Sequence, residues 1–250
     1  MWRGAEILPG VPDFFLFLKE RNIPYSMATN NATKSAADYV NRVGNLGVPI
    51  SAELIITSAL VTAEELGRAY PPGTPIYVVG SPALIQLLTE RGYVIDGATA
   101  KVVIAGLDVS LTYEKLRTAG QRILAGAEFI GTNGDRTLPT ADGLAPGAGT
   151  IVAALQAMTD RAPRLMGKPE PTMFYTALKH LGTAADRTLM VGDRLDTDIE
   201  GAQRAKLRTA LVLTGVNQRA DIGEIVPDGV YESLADLHTA WRESGLVQGP

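Results

Sequence analysis

Short apolar runs alternate with amphipathic stretches along almost the whole chain. Residues 11–21 set Phe14, Phe15, Phe17 and Leu18 on one side, the spacing of a helix that buries one face. Residues 23–28 read as a buried strand, with Pro24 removing one ladder donor. The same periodicities predict helices over residues 36–46, 61–70, 82–91, 112–125, 150–159, 172–181 and 199–206. They predict strands over residues 54–57, 76–80, 101–106, 128–132, 188–193 and 209–213, with residues 230–231 and a following helix closing the chain. Pro71, Pro72 and Gly73 form a strong helix stop, and residues 133–149 read as a glycine- and proline-rich turn region.

Strands that alternate with helices imply an α/β fold built on a parallel sheet covered on both faces. In such sheets ligands bind beyond the carboxyl ends of the strands. Residues 74–161 carry a strand–helix–strand set of their own, the pattern of a second α/β domain inserted into the first. The expected organisation is a core from residues 1–73 and 162–250 with an insert at 74–161, hinged near Pro71–Gly73 and Arg161–Pro163.

Composition narrows the function. Across 250 residues, 46% are hydrophobic and 20% charged, which suits a soluble globular protein. The net charge of −4 gives no basic field for nucleic acid or an anionic membrane. There is no cysteine, so no disulfide frame, thiolate metal site or cysteine nucleophile is available. No apolar run reaches membrane-spanning length and no signal-peptide pattern opens the chain, so a cytoplasmic location is expected.

Three polar segments fall at strand ends. Asp193, Asp196 and Asp198 follow the strand over residues 188–193, and clustered carboxylates of this kind suit a hard cation such as magnesium. Their ordinary alternative is an acidic helix N-terminus. Thr29, Asn30 and Asn31 offer a hydroxyl, two amides and backbone N–H groups that can cradle phosphate oxygens, or simply cap the next helix. Lys168 stands between Gly167 and Pro169, held where it can offset charge on a phosphoryl group or else remain a solvated surface lysine. Residues 143–150 are glycine-rich but lack a P-loop lysine. His180 and His238 read as structural or surface residues, so a zinc site is not expected. Ser58 and Ser81 show no partner base.

The order Thr29-Asn30-Asn31, long insert, Gly167-Lys168-Pro169, then Gly192-Asp193 with further acids resembles the haloacid dehalogenase (HAD) superfamily. Trp2-Arg3-Gly4, Pro9-Gly10, Gly131-Thr132-Asn133 and Pro146 to Gly149 are similar to its subclass IIA, the p-nitrophenylphosphatase and phosphoglycolate-phosphatase-like branch. The resemblance implies a Rossmann-like core with an inserted α/β cap, and magnesium-dependent hydrolysis of small phosphate monoesters through an aspartyl-phosphate. It implies that Thr29, Asn30 and Asn31 bind the phosphoryl group, that Lys168 holds it, and that Asp193 and Asp198 serve the Mg2+ site, with Asp196 a weaker candidate. Asp108 and the turn at residues 133–136 are candidates for substrate choice in the cap, and a homodimer through the cap is a further expectation. The family's first motif, an Asp-x-Asp pair carrying nucleophile and general acid/base, would lie upstream of Met1. Two expectations follow: a start placed too late in an active phosphatase, or an inactive protein that binds a phosphorylated ligand or a partner.

Overall fold

The computed structural model describes residues 1–3, 6–45, 47–140 and 142–244, and the side chains of all of these except Trp2, Arg3 and Glu6. The chain divides into two compact units, one comprising Met1–Ala28, Ala36–Ile55 and Pro169–Pro250, the other Thr29–Ser35 and Ile56–Lys168.

In the first unit, Leu189–Gly192, Arg208–Val212 and Gly229–Tyr231 form a parallel three-stranded sheet in that order. The helix Val11–Glu20 starts with Pro12 in its first turn, where a missing N–H costs nothing. Gly10 precedes it in the left-handed region at φ 78°, and a Cβ there would lie 2.6 Å from Ala235 Cβ, so both backbone and packing require glycine. Phe14, Phe15, Phe17 and Leu18 bury against Val43, Val48, Leu234 and Leu237, which fastens the helix Leu234–Glu243 to it.

The second unit holds a five-stranded sheet, all parallel, in the order Arg164–Leu165, Glu128–Gly131, Val102–Ala105, Pro75–Val79, Val94–Ile95. Val102–Ala105 is buried at every position, as a central strand covered on both faces must be. Val103 and Ala105 pack with Ala119, Ile123, Ile151 and Leu155 of the helices Tyr113–Leu124 and Ala148–Thr159. This is the α/β architecture with parallel sheets that the alternation implies.

Departures have local causes. The strand expected over residues 23–28 shrinks to Met27–Thr29. Asn22 is left-handed at φ 51° and the Ile23 N–H returns to Leu18 O at 2.8 Å, so residues 21–23 close a helix instead of opening a strand. The turn region at 133–149 contains an antiparallel hairpin, Thr137–Thr140 with Gly143–Pro146. The helix expected from residue 199 is preceded by a π-type turn, Leu195–Ile199, in which the Ile199 N–H reaches back to Arg194 O at 3.1 Å. The helix expected over 36–46 is Ala36–Gly44, and Leu46 lies outside the described residues, as does Gly4 of the Trp-Arg-Gly segment. Among the described residues no helix is long and apolar enough to cross a membrane.

Candidate active site

Thr29 ends its strand, and the chain then turns on its own side chains. Thr29 Oγ1 accepts the Asn31 N–H at 3.2 Å, and Asn31 Oδ1 accepts the Thr33 N–H at 2.8 Å and the Thr33 hydroxyl at 2.7 Å. Between them Asn30 is only 9% exposed, and its amide must be satisfied inside the protein. It is satisfied by Lys168. The Lys168 N–H donates to Asn30 Oδ1 at 2.7 Å, and Asn30 Nδ2 donates to Lys168 O at 2.9 Å. The Thr-Asn-Asn and Gly-Lys-Pro segments, 138 residues apart, thus meet in one reciprocal pair of hydrogen bonds.

Gly167 makes this possible. A Cβ on it would stand 2.5 Å from Asn30 Oδ1 and 2.8 Å from Thr132 O. The carbonyl of Asn30 is fixed as well, accepting from Ser58 Oγ at 2.6 Å and Asn133 Nδ2 at 2.8 Å. Asp135 Oδ2 accepts the second Asn30 Nδ2–H hydrogen bond at 3.2 Å. Ser58 and Ser81 are structural: Ser81 Oγ donates to Ala32 O at 2.8 Å and caps the helix Pro82–Glu90.

In the first unit the strand Leu189–Gly192 delivers Asp193. Asp193 Oδ2 accepts the Val216 N–H at 2.9 Å, and Asp193 O accepts the Asn217 N–H at 3.1 Å. Asp198 is buried, and its Oδ2 accepts the N–H groups of Asp193 and Arg194 at 3.1 and 3.2 Å. Asp198 therefore shapes the loop that presents Asp193. Asp196 turns elsewhere: Arg194 grips it bidentately at 3.0 and 2.7 Å and holds its carboxyl below the usual range. The α-amino group of Met1 is lowered by burial, and the charge of Asp193 offsets part of that shift.

As a magnesium site the donor set fits in kind. Asp193 offers hard carboxylate oxygen, and magnesium commonly takes one or two protein carboxylates and completes its shell with water and substrate oxygens. Among the described residues no three acidic or histidine side chains gather around one point.

Other candidates are engaged locally. Asp108 pairs with Lys115 at 2.7 Å and accepts the Ser110 N–H at 2.8 Å. His180 Nδ1 lies 2.8 Å from Glu53 O, and His238 packs on Phe14 and Phe17. Sequence reasoning missed Asp135 as the partner of Asn30, and Gly215 and Asn217 as supports of the acidic loop. Gly215 was the available signal: a Cβ there would lie 1.9 Å from Asp193 Oδ2, the mark of a close approach.

A family model described as haloacid dehalogenase-like hydrolase matches residues 1–94, and one described as HAD-hydrolase-like matches residues 165–237. The chain is 35% identical to the 5'-nucleotidase YutF of Bacillus subtilis over 238 residues, which cover 94% of this chain and 93% of that protein. It is 36% identical to the dihydroxyacetone phosphatase of Corynebacterium glutamicum, covering 96% of this chain and 88% of that one. The crystal structure of a 4-nitrophenylphosphatase from Thermotoga maritima superposes with a TM-score of 0.90 at 35% identity, covering 95% and 92% of the two chains. The chain belongs to the haloacid dehalogenase-like hydrolases, in the subclass IIA branch, and is by lineage an enzyme of the phosphatase type.

Proposed function

We propose that this lineage hydrolyses small phosphate monoesters with magnesium, passing the phosphoryl group to an aspartate and then to water. The observation that carries the proposal is the Asn30–Lys168 clamp, which joins two of the three polar segments into one site. Lys168 would offset the charge that spreads over the phosphoryl oxygens in the transition state. Thr29 would contribute its hydroxyl, and Asn30 and Asn31 their backbone N–H groups. The side chain of Asn30 is already committed to Lys168 and Asp135, so its role toward a ligand is through the main chain. Asp193 would hold magnesium, with Asp198 fixing the loop, and a bound ion would supply positive charge that offsets charge on the phosphoryl group.

The relatives carry the names 5'-nucleotidase, dihydroxyacetone phosphatase and acid sugar phosphatase. These share a phosphate monoester and differ in the organic part, which supports a small phosphorylated metabolite as substrate. Its identity would be set by a cap at residues 74–161, with Asp108 and the 133–136 turn contributing and a homodimer forming through that cap. The enzyme is proposed to work in the cytoplasm.

A second reading is a protein on the same fold that binds a phosphorylated ligand without turnover. Intact mass and N-terminal sequencing of the protein from its native host, with phosphate release from p-nitrophenyl phosphate, separates the two. The proposal expects an active form that bears an Asp-x-Asp pair and needs magnesium. Ordinary turnover by a chain beginning at Met1 would refute the assignment of the nucleophile. A chain beginning at Met1 that binds phosphate without releasing it from the ester supports the second reading.

A further inference from the structure

The turn that follows strand Glu128–Gly131 is tied to Asn30 from two directions. Asn133 Nδ2 donates to the Asn30 carbonyl at 2.8 Å, and Asp135 Oδ2 accepts from the Asn30 amide at 3.2 Å. The turn is itself tightened by the Asp135 N–H, which donates to Asn133 Oδ1 at 3.1 Å. Asn30 in turn fixes both the N–H and the C=O of Lys168. Asn133 is 5% exposed, so its bond to the Asn30 carbonyl forms away from competing water.

The turn is held from behind by a segment the proposed chemistry does not use. The Gly149 N–H donates to Asp135 O at 2.8 Å. A Cβ at Gly147 would lie 2.2 Å from Asp135 O, and one at Gly149 would lie 2.3 Å from Gly134 O. These contacts are to backbone, which cannot swing aside as a long side chain can. Both glycines of Pro146-Gly147-Ala148-Gly149 are therefore demanded by the approach of this turn.

We propose that Asn133 and Asp135 are positioning residues for Lys168, acting through Asn30 and braced by Gly147 and Gly149. The inference rests on the phosphate-site reading above. A carboxylate beside an anion site is electrostatically adverse, so its presence needs a compensating purpose. Here that purpose is to accept a proton of an almost buried amide, since leaving that donor unmet would loosen the clamp.

The test uses the chain of 250 residues with inorganic phosphate as probe. Titration calorimetry reads the phosphate Kd, and NMR hydrogen exchange reads the Lys168 amide. Asp135→Ala is expected to weaken phosphate binding about tenfold and to speed Lys168 N–H exchange about tenfold, the loss of roughly one hydrogen bond's worth of local protection. Asp135→Asn keeps an acceptor oxygen and drops the charge, and is expected to restore both readouts to within about twofold. If Asp135→Ala does not fold, Asn133→Ser replaces it with the same expectations, because Ser58 still serves the Asn30 carbonyl.

Tighter phosphate binding in both Asp135 variants with unchanged exchange would mean that Asp135 acts only as a nearby charge, and would overturn the proposal. Faster exchange spread evenly over the strands of the unit would mean a general structural role and would overturn it too. If the unaltered chain binds no phosphate while Lys168 exchange responds as expected, the positioning role stands and the phosphate-site reading falls.

Discussion

Gly192 and Gly215 decide how closely the acidic loop can fold on itself. A Cβ at Gly192 would lie 2.3 Å from Asp198 Cβ, and one at Gly215 would lie 2.3 Å from Asp193 Cβ. Neither aspartate can retreat without losing backbone partners, because Asp198 holds two N–H groups and Asp193 holds that of Val216. Gly192→Ala is therefore expected to cost about 2 kcal/mol, the usual penalty for forcing atoms into a filled site. Gly223→Ala, where a Cβ meets nothing within 4 Å, should stay within about 0.5 kcal/mol. Urea unfolding of the two variants checks the contrast, and equal stabilities would show that the loop relaxes around the added methyl. At this scale the sequence disclosed residue types but not their partners. Lys168 and Asn30 were each legible as polar residues at the end of a strand or beside a proline. Their mutual bonds were not, since a separation of 138 residues leaves no periodic trace. Asp196 was legible as an acid, yet its commitment to Arg194 depends on the π-type turn between them, which no pattern of apolar positions announces.

Helices in this chain are secured by caps and by ring packing, and both make predictions. Ser81 accepts the Leu84 N–H at 3.2 Å while donating to Ala32 O at 2.8 Å. Ser81→Ala removes the cap and leaves a carbonyl without its donor, so a loss of about 1–2 kcal/mol is expected in denaturant unfolding. In the helix pair Val11–Glu20 and Leu234–Glu243, His238 sits with its ring centroid 4.7 Å from that of Phe17 and 6.1 Å from that of Phe14. Burial lowers its pKa below the ordinary 6.5 and Arg242 adds to the effect, while Asp13 and Glu20 oppose it. The neutral ring is thus favoured when folded, and the unfolded chain binds the proton more readily. The contribution to stability is present above pH 6.5 and is lost as pH falls below that value toward the folded pKa. His238→Gln should flatten this part of the stability profile, measured as the urea midpoint against pH. An unchanged slope would assign the dependence to other groups. The elements themselves were mostly legible where length gave periodicity a chance. The helix Val11–Glu20 matches the expectation to within one residue, because four apolar residues share its buried side. The two-residue strands Val94–Ile95 and Arg164–Leu165 were not legible, being too short to alternate. The hairpin Thr137–Thr140 with Gly143–Pro146 was hidden by its own prolines and glycine, which punctuate turns more often than strands.

A ligand that binds only the folded chain raises the stability of the whole molecule, and the acidic loop is where such a link is expected. The parallel α/β architecture was readable from alternation, and the acids from their place after an apolar strand. The packing of Asp198 against Gly192 and of Asp193 against Gly215 was not readable, because each depends on a glycine that is no neighbour of its aspartate along the chain. Asp198 Oδ2 accepts the Asp193 N–H at 3.1 Å, so the loop that presents Asp193 is held in shape by Asp198. A cation held at Asp193 would be a ligand of the folded chain alone, and such a ligand stabilises it by mass action, about 2.7 kcal/mol at a hundred times Kd. Magnesium is therefore expected to raise the Tm of the chain, and a chelator to return it to the starting value. Asp193→Asn should abolish the rise. Asp196→Asn should preserve it, because the Asp196 carboxylate is paired with Arg194 at 2.7 Å. The pair of variants separates a specific site from the general effect of divalent salt on a chain of net charge −4, which would act on both alike. An equal magnesium response in the two variants, measured by thermal unfolding at constant ionic strength, would remove Asp193 from the metal site.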